Sequence, residues 1–166
     1  MRNRWAMEFY NLAEAKGIQC KIERLSNRWV ETVNFVGKRY YTKSVTYIKK
    51  KFFIGVDPSK LNESGDFVLI CGGKENILSD IFIIPWGIFF ETLKKGEPIN
   101  TYSPPKEYLQ YKFYLQDRDN GWSMFVQGGN RPILDVSKWH YNVDEALAFI
   151  NSGREKNVKK NLQRED

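Results

Sequence analysis

The chain has 166 residues, a formal net charge of +6 and a pI of about 9.2. No run approaches the roughly 20 apolar residues of a membrane-spanning helix. Two cysteines, Cys20 and Cys71, and a single histidine, His140, leave no disulfide framework and no His-based zinc site.

Residues 5–16 carry Trp5, Phe9, Leu12 and Ala13 at helical spacing, with Gly17 as a stop. Residues 18–25, 29–36 and 39–48 read as a three-strand β-meander, turning at Ser26-Asn27 and Gly37-Lys38. Phe52–Val56 is a fourth strand, closed by Asp57-Pro58-Ser59. Phe67–Cys71 and Ile81–Ile84 are continuous apolar runs, the pattern of strands covered on both faces. Gly72-Gly73 is expected to stop the first run, and Pro85 the second.

Ile88, Phe89 and Leu93 suggest a short helix that ends at Lys94-Lys95-Gly96. Residues 97–106, with Pro98, Pro104 and Pro105, read as a loop. Lys112–Gln116 and Trp122–Gln127 read as strands joined through Asn120-Gly121, and Pro132–Val136 as a short extended piece. Asn142 with Glu145 has capping-box spacing before Val143, Ala146, Leu147 and Ile150. Residues 154–166 are highly charged and read as a flexible tail.

The expected fold is α+β. A mostly antiparallel sheet of five or more strands carries N-terminal, central and C-terminal helices, in one domain over residues 1–153. The N-terminus lacks the apolar segment of a signal peptide, so a cytoplasmic protein with reduced thiols is expected.

The most informative feature is a charge asymmetry. Thr32 to Val56 contains no acidic residue, but holds Lys38, Arg39, Lys43, Lys49, Lys50 and Lys51 with Tyr40 and Tyr41 among them. Lysine and arginine attract phosphates through counterion release and hydrogen bonds, and tyrosines stack on bases. The expected partner is nucleic acid, DNA first. The strand at 39–48 has no cleanly apolar face, which suggests a half-exposed or edge strand.

From Trp5 to Leu93 the order of elements resembles the restriction-endonuclease-like nucleases of the PD-(D/E)XK type. Those proteins have an N-terminal helix, a β-meander bearing an acidic residue and an E-x-K strand, then a helix and further strands. Tyr41-Thr42-Lys43 stands at the E-x-K position, so the motif's glutamate is Tyr41 here. The resemblance implies a nucleic-acid-binding module of a prokaryotic restriction or defence system. Its enzymatic alternative is a Mg2+-dependent nuclease with a non-standard site built from Glu8, Glu31 or Glu23, and Lys43; Mg2+ is expected only there. A protein-interaction subunit is the third reading.

The remaining motifs are read structurally. Gly72-Gly73-Lys74 lacks phosphate-loop spacing, and Asp117, Asp119 and Asn120 lack an EF-hand frame. His140 has no nucleophile placed beside it by any motif.

Overall fold

Phe67–Lys74 (β5) and Ile77–Pro85 (β6) pair antiparallel at the centre of a computed structural model. The structure describes residues 4–26, 29–96, 98–103, 106–118, 121–129 and 131–152. The proposed tail at 154–166 lies outside them.

Alternation splits the central strands between two apolar cores. Leu69 and Cys71 face one core; Val68 and Ile70 face the other. The first core is closed by helices Arg4–Ala15 (α1) and Val143–Ser152 (α3), through Phe9, Tyr10, Leu147 and Ile150. The second is closed by helix Trp86–Leu93 (α2) and by strands Lys51–Val56 (β4), Lys106–Arg118 (β8) and Gly121–Val126 (β9).

The meander is Cys20–Ser26 (β1), Trp29–Phe35 (β2) and Lys38–Ile48 (β3). β3 organises the sheet. Its first half pairs antiparallel with β2, Tyr40 to Thr46 pair parallel with β5, and its last residues pair with β4. From β3 the order continues through β5 and β6 to His140–Tyr141 (β11). On the other side it runs through β4, β8 and β9 to Pro132–Asp135 (β10). The α+β class, the mostly antiparallel sheet and the three helix positions stand as expected. Among the described residues, no helix is long and apolar enough to cross a membrane.

Three local expectations are corrected. β3 is central, not an edge: Tyr40 is fully buried in the first core and Tyr41 is 4% exposed in the second. Gly72-Gly73 does not end its strand, because β5 runs through both glycines to Lys74. They are packing positions. A Cβ on Gly73 would lie 1.9 Å from the Trp5 indole, and one on Gly72 would lie 2.8 Å from the Phe52 ring. Finally, the presumed loop at 97–106 contains strand Ile99–Ser103 (β7), which among the described residues pairs with β8 alone.

The α3 capping box is formed. Asn142 N donates to Glu145 Oε1 at 3.0 Å, and Glu145 N donates to Asn142 Oδ1 at 2.8 Å. Cys20 and Cys71 are free thiols. Burial, with Glu14 nearby, pushes the Cys20 thiol up to about 11, and burial raises that of Cys71 too.

Candidate functional site

The predicted basic stretch is divided by its own strand. Lys38 and Arg39 stand at the start of β3, and Lys49–Lys51 follow its end. The eleven residues of β3 make ten steps of about 3.3 Å, so about 33 Å of strand lies between the two groups. At the first end, carboxylates offset the charge. Arg39 Nε lies 3.4 Å from Glu23 Oε1, and Arg39 N donates to Asp66 Oδ2 at 2.8 Å. Tyr40 and Tyr41 are buried between helix and sheet layers, so neither ring contacts a base. One shared basic face over residues 38–51 is therefore not what the fold builds.

The other end does gather cations. β3 and β5 are parallel neighbours, so the β3–β4 and β5–β6 turns lie at the same end of the sheet. Lys49, Lys50 and Lys74 are exposed there, and Lys51 is half-buried. Lys74 Nζ sits 4.6 Å from the centre of the Tyr47 ring, and Lys51 Nζ sits 4.2 Å from that of Tyr114. Glu75, in the second turn, is an exposed carboxylate of this end. Lys49 and Lys50 fill a two-residue hairpin turn with φ of 54° and 62°. Such turns normally take Asn-Gly or Asp-Gly, because a Cβ disfavours positive φ. Lys74 was missed as a partner of this group because the pairing of β3 with β5 is non-local.

The middle of the stretch, Lys43, belongs to a different assembly. Two irregularities in the β1–β2 pairing leave Glu23 and Glu31 without a partner across the ladder. A bulge re-aims the side chain it carries. Glu31 turns toward the 3-10 turn Pro58–Asn62, which follows β4. There Lys60, 4% exposed, places Nζ 3.0 Å from Glu31 Oε2 and 3.4 Å from Glu63 Oε1. Arg24 closes the ring, with Nε 2.8 Å from Glu31 Oε2 and Nη1 2.7 Å from Glu63 Oε1. Asp57 caps the 3-10 turn by accepting from Ser59 N at 2.9 Å.

The electrostatics follow from this packing. Burial lowers the pKa of Lys43, with Lys60 adding to the effect while Glu31 and Asp57 oppose it. Burial raises that of Tyr41, reinforced by Glu31, Asp57 and Glu63. Glu63 is held below the ordinary carboxylate range: burial works against this, but Arg24 and Lys60 outweigh it. Both Lys43 and Lys60 lie 5.9 Å from the Tyr41 ring centre.

The nuclease constellation is brought together only in part. Glu31 and Lys43 share this cluster, but Glu8 is exposed on α1, which packs on the opposite face of β3. That face is fixed by Ser44 Oγ and Thr46 Oγ1, which accept from Trp5 N and Trp5 Nε1, both at 2.9 Å. The donor set does not suit a divalent cation. Glu31 and Glu63 are each engaged by an ammonium and a guanidinium, and no group of three or more His, Cys, Asp or Glu among the described residues is arranged to hold a metal. Arg24, Lys60 and Glu63 were invisible as a cluster because three separate segments supply the network. Only the Lys60/Glu63 spacing of three carried a local signal.

A second polar pair joins β6 to β11. His140 Nε2 is 2.7 Å from Asp80 Oδ1, and Ser79 Oγ donates to Asp80 Oδ2 at 2.6 Å. The imidazole packs 5.2 Å from the Trp122 ring and 5.0 Å from Phe82, centre to centre. Ser79 is bonded to the acid itself, an arrangement that orients His140 but sets up no relay from a hydroxyl through an imidazole.

Comparison with protein-family models, with curated proteins and with solved structures returned no match.

Proposed function

We propose that the chain is a nucleic-acid-binding module, with DNA as its partner, that holds phosphates at the end of the sheet where β3 and β5 finish. The observation that carries this reading is the Lys49-Lys50 turn. Two lysines occupy left-handed backbone positions at a cost of roughly 1–2 kcal/mol each. Strain kept at an exposed tip is a reason to look for function there. Lys51 and Lys74 extend the positive charge on either side of the turn.

The resemblance to restriction-endonuclease-like nucleases supports the restriction or defence setting in its non-cutting form. Lys60 and Arg24 neutralise the carboxylates that such a nuclease would offer to Mg2+. The network then serves to pin the β4–β5 crossover to the meander. The Mg2+-dependent alternative keeps one supporting observation, the proximity of Glu31 to the half-buried Lys43. It requires metal-dependent cleavage that is lost in Glu31→Ala.

The test is a salt titration of duplex DNA binding with wild type and the Lys49→Ala/Lys50→Ala/Lys74→Ala variant. Loss of three phosphate contacts should weaken binding to every sequence and flatten the log–log salt slope by about 2 to 3. An unchanged slope and affinity would refute the reading. A salt-insensitive protein complex with no nucleic-acid affinity would favour the interaction-subunit alternative.

A further inference from the structure

The outward face of β4, β8 and β9 carries a second, differently built surface. Phe52, Ile54, Phe113, Leu115 and Met124 point into the second core. The intervening residues therefore point away from it. On β4 these are Lys51, Phe53 and Gly55; on β8, Lys112, Tyr114, Gln116 and Arg118; on β9, Ser123 and Phe125. None is acidic. Two described carboxylates flank this face: Asp117, exposed on β8 between Gln116 and Arg118 and opposite Trp122, and Asp135 on β10, opposite Ser123, which accepts from Ser137 N at 2.9 Å.

This face has order as well as charge. The Tyr114 and Phe125 rings are parallel, 7° apart in plane with centres separated by 5.0 Å. Lys51 Nζ lies over Tyr114 and the Arg118 guanidinium lies over Phe125, each 4.2 Å from the ring centre. Arg118 Nε also donates to Gln116 Oε1 at 2.6 Å. Long cationic side chains lose much rotamer freedom on binding, and resting on a ring removes part of that loss beforehand. Tyr114 and Phe125 are themselves buried, but Phe53 beside them is 42% exposed.

We propose that this face binds an unpaired nucleic-acid strand, with Phe53 stacking on a base and Lys51, Lys112 and Arg118 holding the phosphates on either side. The inference rests on the nucleic-acid reading and adds the form of the ligand. A duplex keeps its base faces stacked and offers this surface only phosphates. A single strand can use both the ring and the cations. Stacking reads the base plane and not the sugar, so DNA and RNA strands should both be accepted.

The test uses the full chain and three labelled probes in anisotropy titrations: oligothymidylate, oligouridylate and a hairpin duplex. Both single strands should bind more tightly than the duplex. Phe53→Ala should weaken single-strand binding about tenfold or more and leave duplex binding unchanged. Lys112→Gln/Arg118→Gln should flatten the single-strand salt slope by about 1.4. Both variants alter exposed or half-buried side chains, and circular dichroism checks that each remains folded. Wild-type single-strand affinity in Phe53→Ala, or equal affinity for duplex and strand, overturns the inference. If duplex binding then still responds to Lys49, Lys50 and Lys74, the module reading stands without it. No binding of any probe at low salt sinks both.

Discussion

The ammonium of Lys60 lies 3.0 Å from Glu31 Oε2, and the two residues come from opposite sides of β3 in sequence. One bulged strand and one 3-10 turn are thereby tied together beneath the Tyr41 ring.

Removing that ammonium leaves two carboxylates facing each other across Arg24 alone. Lys60→Met should destabilise the fold by about 3 kcal/mol, the low end for breaking a buried pair, because Glu31 and Glu63 keep 21% and 32% side-chain exposure. Urea denaturation reads this. Combining Lys60→Met with Glu31→Gln should cost less than the sum of the two single changes, since the repulsion disappears with the charge. Full additivity would show that the network is only a set of independent surface pairs.

Gly73→Ala tests the seat of α1. The added methyl meets Trp5 at 1.9–2.3 Å, so the helix must shift or the indole must leave. A loss of about 1–3 kcal/mol is expected, with a change in tryptophan fluorescence. Gly87→Ala, in helix α2 where nothing lies within 4 Å, is the matched control and should not destabilise; a gain of about 0.4–1 kcal/mol is expected.

Tyr40→Phe should be neutral or stabilising, by about 1 kcal/mol. The Tyr40 hydroxyl is buried with no hydrogen-bond partner among the described residues, and an unpaired buried hydroxyl carries a desolvation cost. Thermal melts give the sign. The same variant should bind nucleic acid as wild type does, because the ring packs between Phe35 and Phe67 instead of facing solvent.

Alongside Glu63, Asp80 should contribute to acid sensitivity. Burial alone would raise its pKa, but hydrogen bonds from His140 and Ser79 and the charges of His140 and Lys74 outweigh burial and hold it below the ordinary carboxylate range. A carboxylate depressed in the folded state contributes stability above its unfolded value of about 3.9, and that contribution is lost as pH falls through the folded value. In His140→Ala the burial remains and the main compensation goes. The stability that Asp80 loses on protonation is then already gone, so the acid limb of the melting-temperature curve should be shallower than in wild type, and the Asp80 carboxyl should titrate higher by NMR. An unchanged acid slope would assign the acid response to other carboxylates.

Local chemistry was readable in the chain; non-local chemistry was not. The Asn142/Glu145 box and the runs at Phe67–Cys71 and Ile81–Ile84 behave as their sequence indicates, because capping and apolar burial depend on near neighbours. Gly73 misled because its meaning lies in Trp5, on another element. β7 was hidden because Pro98, Pro104 and Pro105 flank it in the sequence and read as a loop. The acid-free window was real, but a long strand carried its two ends apart and a bulge brought Glu31 to its middle. Lysine ordinarily signals solvent, so nothing in Pro58–Asn62 announced that Lys60 is enclosed.

The threefold pairing of β3 bears on how the molecule is assembled in time. Its partner β4 is completed on the other side only by β8, whose Tyr111–Leu115 lie far downstream of Phe52–Val56. A chain emerging from the ribosome can zip β1 to β3 early and add β5 and β6 soon after. The layer that covers Val68, Ile70 and Phe82 then has to wait for β8 and β9. Such long-range closure slows folding and leaves half of an apolar sheet uncovered during synthesis. The nascent protein therefore has a built-in window of vulnerability to aggregation, and it ends when β8 docks against β4.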